Sequence, residues 1–129
     1  MTKPNLSCFD DAPEFIDEDN RRFRIHNPIS KSQMLAKHEL ILPADIVKGK
    51  TVLDLGSCMG ATGHWCLSNG ASHYVGVELQ HSYVELSRKL LTKYHPGKFK
   101  IEETTIEQWL AQPHAEQYDI VCLFGVLYA

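Results

Sequence analysis

The sequence has no apolar run that approaches the ~20 residues a transmembrane helix needs. Its first five residues, M-T-K-P-N, also lack the apolar core of a secretory signal peptide. There is no excess of positive charge either: the net charge of −3 argues against nonspecific binding to nucleic acid, although a local patch could still hold an RNA or a protein. We therefore expect a cytoplasmic protein without a membrane partner.

The spacings typical of metal sites and disulfide frameworks are also missing. The four cysteines contain no C-x-x-C pair, and the seven histidines form no H-E-x-x-H pattern. Cys66 and Cys122 lie in apolar segments and are interpreted as small core residues. Cys58 lies in a glycine-rich loop, where it either touches a ligand or is a reactive thiol. We predict a reduced protein with no metal.

A strand followed by three spaced glycines is the most informative segment. Residues 51–54 have the composition of a buried strand, and Gly56, Gly60 and Gly63 follow as G-x-x-x-G-x-x-G before a helical segment. Backbone N–H groups face outward at such a turn, and glycine lets a ligand approach the main chain closely. The spacing differs from the G-x-G-x-x-G of dinucleotide-binding domains. It favours the polar part of a nucleotide-like ligand.

An acidic residue, Glu78, closes the next predicted strand, Y-V-G-V-E. A carboxylate there can accept hydrogen bonds from both hydroxyls of a ribose. Together with Glu78, the segment V-L-D-L-G-S-C-M-G-A-T-G resembles motif I and the second-strand acid of class I S-adenosylmethionine (SAM) dependent methyltransferases. The resemblance runs from about residue 30 to 129, the first half of that family's domain. It implies SAM as the cofactor and methyl transfer as the activity.

The resemblance also implies the cofactor contacts. The glycine loop would hold the amino-acid end of SAM, and Glu78 would accept from the ribose. Asp54 either attracts the ammonium group of SAM or only ties the loop in place. The cofactor-binding residues predicted in this way are Asp54, Gly56, Ser57, Cys58, Gly60, Glu78, Leu79, Gln80, Thr104, Thr105 and Ile106.

The adenine contacts depart from the family pattern. Leu79 or Gln80 is expected against the adenine face. Family members often carry an Asp after the third strand, but this sequence has E-E-T-T-I there. Thr104 or Thr105, or backbone groups around Ile106, would then take the place of that Asp.

The methyl acceptor stays open among a small molecule, an RNA and a protein, and no catalytic base is identified. In the family the residues after strand four face the acceptor, which here makes Phe124 and Tyr128 the substrate-binding candidates. Tyr128 either orients the acceptor or is an aromatic plug. The segment G-V-L-Y resembles the same place in some enzymes that modify tRNA wobble uridines. Arg21, Arg22 and Arg24 could meet an anionic substrate.

Helical and strand patterns alternate along the chain. They predict an α/β fold, a Rossmann-like three-layer sandwich whose parallel sheet has the order 3-2-1-4, with helices on both faces. Capping boxes starting at Ser30, Ser82 and Thr105 predict three helix starts. Residues 118–124 form a near-continuous apolar run, typical of a strand covered on both faces. The predicted divisions are an N-terminal arm, residues 1–29, and an incomplete SAM-binding domain, residues 30–129.

Two regions leave alternatives open. The charged arm is either a solvated extension or, because of Phe9, Phe15 and Phe23, a segment that packs on the domain. The fold is expected to be truncated after strand four, which leaves an apolar edge. The chain is then a fragment of a longer enzyme, or it completes its sheet by pairing with a copy of itself or a partner chain. A noncatalytic SAM-binding module is the third possibility.

Overall fold

Four parallel strands form the central sheet of the computed structural model, which describes residues 3–114 and 116–124. They are β1 (Thr51–Leu55), β2 (His73–Glu78), β3 (Phe99–Glu103) and β4 (Ile120–Cys122). The strand order is β3-β2-β1-β4, and each neighbouring pair is parallel. The predicted order and the Rossmann-like fold class are confirmed.

Seven helices are found in the described part of the chain. They are α1 (Cys8–Asp11), α2 (Glu14–Arg22), α3 (Lys31–Ile41), α4 (Ala44–Val47), α5 (Ala61–Ser68), α6 (His81–Tyr94) and α7 (Ile106–Ala111). None of the helices in residues 3–114 and 116–124 combines the length and the apolar character needed to cross a membrane.

Two of the three predicted helix caps are present. Ser30 Oγ accepts from the Gln33 N–H at 3.1 Å, and the Gln33 side chain accepts from the Ser30 N–H at 2.8 Å, so α3 begins with the predicted capping box. Thr105 Oγ1 accepts from the N–H of Gln108 at 3.0 Å at the start of α7.

The predicted cap at Ser82 is wrong. Helix α6 begins two residues earlier than predicted, with Gln80 in the N-cap position, so Ser82 lies inside the first turn. The reason is a contact with the end of β2, because a carboxylate oxygen of Glu78 accepts the Gln80 N–H at 2.9 Å. That bond holds Gln80 in an extended conformation immediately before the helix.

Alternate residues of the strands supply two apolar clusters, one on each face of the sheet. Val52 and Tyr74 point into the larger cluster, which includes buried residues of α3, α5 and α6. The smaller cluster contains Leu53, Val75 and Trp109 of α7. Helices therefore lie on both faces, as predicted.

Strand β4 is shorter and more exposed than its apolar sequence predicted. Only residues 120–122 of the predicted 118–124 are in the strand. Val121 lies beside Leu53 in the register, on the α7 face, and is 54% exposed, while Leu123 is 48% exposed. The interpretation of β4 as covered on both faces is wrong for these residues, because the other described residues do not cover Val121 on the α7 face or Leu123 beyond the strand.

The N-terminal arm packs on the face of the sheet that carries the larger apolar cluster. Phe9 of α1 and Phe15 of α2 are completely buried, so the solvated extension is the wrong alternative for these two helices. Phe23, the third aromatic of the predicted set, is 52% exposed. Glu14 attaches α2 to the end of α6, since its carboxylate accepts from Tyr94 Oη and from Lys93 Nζ, each at 2.7 Å.

The buried His64, paired with the half-buried His95, fastens the arm to α5. His64 Nε2 lies 2.7 Å from the Cys8 carbonyl oxygen, which can only accept, so Nε2 carries the proton. Its Nδ1 therefore accepts from His95 Nε2 at 2.8 Å. Phe15 stacks on the His64 ring with a centroid separation of 4.5 Å. This arrangement requires a neutral His64, because a proton on Nδ1 would point at the His95 N–H.

We predict that the histidine pair makes the protein acid-sensitive. Burial lowers the pKa of His64, and burial with the nearby His64 lowers the pKa of His95 from 6.5 to about 4. The unfolded chain therefore binds more protons than the folded chain below pH 6.5, and stability falls as the pH drops from about 6.5 toward 4. Urea denaturation at pH 7 and pH 5 measures this loss.

His95→Gln should reduce the acid loss, because its amide still donates to His64 Nδ1 but cannot be protonated. His26→Gln is the matched control, since His26 is exposed and outside the pair. If wild type and His95→Gln lose the same stability between pH 7 and pH 5, the histidine pair is not the acid-sensitive element.

Candidate functional site

The turn between β1 and α5 forms the floor of a cleft at the carboxyl end of β1. Gly56, Cys58 and Gly60 have positive φ values of 82°, 51° and 91°, so the loop depends on two glycines in the left-handed region. The N–H groups of Gly56 and Ser57 both donate to the Val77 carbonyl, at 2.8 and 3.1 Å. The loop is thereby fixed to the end of β2.

Glu78 fixes the same loop through its side chain. One carboxylate oxygen accepts the Cys58 N–H at 2.9 Å, and the other accepts the Gln80 N–H at 2.9 Å. Sequence reasoning missed this structural role. Each carboxylate oxygen has a second lone pair, so the predicted bonds to ribose hydroxyls remain compatible with these contacts and stay a prediction.

Asp54 forms a buried pair with Tyr74 beneath the loop. The Tyr74 hydroxyl donates to Asp54 Oδ2 at 2.5 Å, and both side chains are almost completely buried. Burial raises the pKa of Asp54 to about 6, although the Tyr74 hydrogen bond lowers it. The nearby Glu78 raises it further. The pair was not predicted, because nothing in the sequence links these two positions.

The cleft above Asp54 has a volume of about 450 Å³ and three walls. The loop is the floor of this cleft, and helix α3, helix α5 and the end of the arm are its walls. Phe124 lies at the remaining side. The lining residues are Asp54, Gly56, Ser57, Cys58, Met59, Met34, Lys37, His38, Ala61, Thr62, Asp19, Phe23, Arg24, Ile25, His26, Asn27 and Phe124.

Helix α3 contributes an unpredicted polar wall. Met34, Lys37 and His38 share one helix face, and none of them is among the predicted site residues. His38 Nδ1 donates to the Met34 carbonyl at 2.9 Å, so its Nε2 accepts from Thr62 Oγ1 at 2.8 Å. Burial lowers the pKa of His38 to about 4, which leaves the ring neutral near pH 7. Within the described residues, the half-buried Lys37 forms no ion pair.

The end of the arm is held over the cleft at both sides. Asn20 binds the backbone of Ile29 in both directions, with its amide donating at 2.7 Å and its carbonyl accepting at 2.8 Å. Arg24 lines the cleft but is paired with Asp19 at 2.9 Å. The other two arginines considered for an anionic substrate, Arg21 and Arg22, both pair with Glu18 outside the cleft lining.

The remaining predicted cofactor residues lie away from the cleft lining. Gly60 faces α6, where an added Cβ would lie 3.3 Å from atoms of Ser87 and Leu91. Leu79 is 61% exposed and Gln80 caps α6. Their cofactor contacts stay predictions.

The adenine and acceptor candidates are found near the ends of β3 and β4. Thr104 donates its backbone N–H to the Glu78 carbonyl at 3.2 Å, which places it beside the end of β2. Thr105 caps α7 and Ile106 is its first residue. Phe124 lines the cleft, whereas Tyr128 lies outside the described residues.

The cleft offers polar groups suited to a small polar ligand. The backbone N–H groups of Met59, Ala61 and Thr62, at and just before the first turn of α5, have no acceptor among the described residues. Ser57 Oγ is the one buried side-chain oxygen or nitrogen without a partner in that part of the chain. The volume lies within the roughly 300–1,000 Å³ of small-molecule sites.

Burial raises the pKa of the Cys58 thiol to about 12, which disfavours a reactive thiolate.

The chain is similar to one curated protein and to many solved structures. It is 30% identical over 97 residues to an uncharacterized protein of Haemophilus influenzae, covering 74% of this chain and 38% of that protein. A candidate RNA methyltransferase from Pyrococcus horikoshii matches with a TM-score of 0.58 and 24% identity, covering 72% of this chain and 44% of that one. A candidate methyltransferase of Escherichia coli, YhhF, matches with a TM-score of 0.61 and 22% identity, covering 68% and 48%.

These comparisons show the fold. No protein-family model matches the chain. The solved structures confirm the predicted resemblance to class I SAM-dependent methyltransferases at the level of the fold. The chain spans less than half the length of the curated relative and of the two structures described above.

We predict that Gly63 is required by packing against Tyr74. A Cβ added to Gly63 would lie 2.5 Å from the Tyr74 ring, so Gly63→Ala should destabilise the protein by about 1–3 kcal/mol through overpacking. Urea denaturation checks this value. In a Tyr74→Val background the methyl group should cost much less, and an unchanged cost in that double-mutant cycle would disprove the packing explanation.

Proposed function

We propose that the chain forms the cofactor-binding half of a SAM-dependent methyltransferase. The observation that carries the proposal is the cleft at the carboxyl end of β1, where a loop tied to Glu78 presents unpaired backbone N–H groups beside a buried carboxylate. Ligand sites of open α/β sheets lie at this edge, beside the strand where the order reverses. The shared fold supports the general class, since its structural neighbours are methyltransferases.

The cleft residues fit the charges of SAM. Asp54 supplies a negative charge for the ammonium group of the cofactor. Lys37, which has no ion pair in the described structure, complements its carboxylate on the opposite wall. The N–H groups of Met59, Ala61 and Thr62, on the loop and at the start of α5, add positive partial charges for the same carboxylate. Glu78 and the residues after it are assigned the ribose and the adenine, by resemblance.

Bound SAM supplies a methyl group that its sulfonium already activates. The contribution of the chain is then positioning and exclusion of water. The arm segment 23–27 covers the cleft, and Phe124 lines its remaining side. His38 holds no proton on Nε2 and receives one hydrogen bond there from Thr62, so we assign it to shaping the wall. The methyl acceptor is proposed to enter beside Phe124, and its class stays open among a small molecule, an RNA and a protein.

A noncatalytic SAM-binding module is the second candidate. It is favoured by the exposed Val121 and Leu123 on and beside β4, which suit pairing with a copy of the chain or with a partner chain. Such a module would bind SAM without transferring its methyl group. We also place the protein in the cytoplasm, because its four cysteines are free.

We predict that the protein binds S-adenosylhomocysteine through Glu78. Glu78→Ala removes both the loop anchor and the proposed acceptor of the ribose bonds, so the affinity should fall by about tenfold or more. Isothermal titration calorimetry measures it. Glu85→Ala, on the exposed surface of α6, is the matched control. Absence of binding by wild type, or equal affinities of wild type and Glu78→Ala, would contradict the proposal.

Lys37→Met should weaken S-adenosylhomocysteine binding by about fivefold to tenfold, because it removes the proposed partner of the ligand's carboxylate. Lys31→Met on the same helix is the control, since Lys31 does not line the cleft. 5′-Methylthioadenosine lacks the amino-acid end and should bind wild type and Lys37→Met equally. A similar loss of affinity for both ligands would assign Lys37 a general structural role.

A further inference from the structure

Tyr74 lies under the cleft floor, and its hydroxyl contacts the carboxylate assigned to the cationic end of the cofactor. The ring is fully buried, and the hydroxyl donates to Asp54 Oδ2 at 2.5 Å. We propose that Tyr74 is a positioning residue, which holds the Asp54 carboxylate in a fixed orientation and in its charged form for the ammonium group of the ligand. This inference rests on the proposed function.

The geometry leaves one side of Asp54 available. Among the described residues, Tyr74 is the hydrogen-bond partner of Asp54, and the bond uses Oδ2. Asp54 also lines the cleft, although only 2% of the residue is exposed. In the sheet register Asp54 lies beside Gly76, two residues beyond Tyr74 on the same face of β2. The hydroxyl therefore reaches the carboxylate from within the core, whereas the cleft opens on the carboxylate's other side.

The surrounding structure keeps the Tyr74 ring in place. Helix α5 crosses the ring at Gly63, where a Cβ would come within 2.5 Å of a ring carbon. Val52 lies beside Tyr74 in the register and is fully buried as well. With both sides of the ring packed, the hydroxyl position is set by the core and does not depend on the ligand.

The charges around Asp54 make its ionisation sensitive to that hydroxyl. Burial raises the pKa of Asp54 to about 6, the Tyr74 bond opposes this rise, and Glu78 adds to it. The titratable and charged groups that face Asp54 or share its cleft come from β2, the loop, α5, β4, α3 and the arm; they are Tyr74, Glu78, Cys58, Cys66, Cys122, Lys37, His38, Asp19, Arg24 and His26.

The thiols and the phenol of this set stay neutral near pH 7. Burial raises the pKa of Cys58 and of Cys122 to about 12, and it raises the pKa of Cys66 and Tyr74 well above their usual values. They therefore do not change charge between pH 5.5 and pH 8, the range in which the Asp54 carboxyl titrates.

The sign of the expected effect follows from these charges. Deprotonated Asp54 attracts the ammonium group, so affinity for S-adenosylhomocysteine should rise with pH, with a midpoint near pH 6 in wild type. Tyr74→Phe removes the bond that lowers the Asp54 pKa, so the midpoint should move up by about one pH unit. Affinity should then be about threefold weaker than wild type at pH 6.5 and nearly equal at pH 8.

The experiment is calorimetric titration of S-adenosylhomocysteine at pH 5.5, 6.5, 7.2 and 8.0. Tyr94→Phe is the matched control, because its hydroxyl also donates to a carboxylate, that of Glu14, but outside the cleft. It should leave the profile unchanged. Asp54→Asn keeps an oxygen to accept from Tyr74 and should bind weakly, with no pH dependence of this kind.

Failure of the proposed function and failure of the Tyr74 inference give different binding results. If wild type binds no S-adenosylhomocysteine at any pH, the proposed function fails. If wild type binds but Tyr74→Phe keeps the same midpoint, or is weakened equally at every pH, Tyr74 has a structural role only and the inference is overturned. If Tyr74→Phe does not fold, Asp54→Asn decides: a profile like that of wild type overturns the inference, and a flat profile supports the ionised Asp54 that the inference requires.

Discussion

The attachment of the β1–α5 loop to the end of β2 is the constraint on which the site depends. Two backbone bonds to the Val77 carbonyl and one bond from the Cys58 N–H to the Glu78 carboxylate hold the loop. A charged acceptor strengthens the last of these bonds, and it compensates the positive φ of Cys58, which is unfavourable for a residue with a side chain. Because the loop is tied to β2, the cleft floor has the rigidity of the sheet.

The glycines near this loop are explained chiefly by packing. Gly63 admits the Tyr74 ring, and Gly76 admits the Ser57 side chain, whose Oγ would lie 2.6 Å from an added Cβ. Gly60 combines a left-handed conformation with close contact to α6. The G-x-x-x-G-x-x-G pattern thus reflects close packing of α5 on the sheet, which brings the helix N-terminus to the strand edge, and the ligand contacts of this turn stay a prediction.

Local signals predicted the fold well, whereas contacts between distant segments were not predictable. The strands and the caps at Ser30 and Thr105 follow from short patterns, because periodicity and capping depend on neighbouring residues. The strand order was predicted from the alternation of strands and helices and the right-handed crossover rule. The predicted Ser82 cap was wrong because the Glu78 carboxylate accepts the N–H of Gln80, a local bond that the capping-box pattern does not contain, and α6 begins with Gln80 as its N-cap. The Asp54–Tyr74 pair and the wall from α3 join residues 20 or more positions apart, and a single sequence gives no signal for such pairs.

The arm connects the stability of the fold to the shape of the cleft. His64 holds Cys8 at the beginning of the arm, Glu14 binds α6, and Asn20 binds Ile29 at its end. The cleft-lining segment 23–27 lies inside the loop that the two Asn20–Ile29 hydrogen bonds close, so its two ends stay together unless these bonds break. The buried histidine contact is therefore part of the same structure that covers the cleft, although it lies outside the lining. A ligand enclosed under this segment would be shielded from water by residues whose positions are set in the core, which is the environment that strengthens the attraction between a buried carboxylate and an ammonium group.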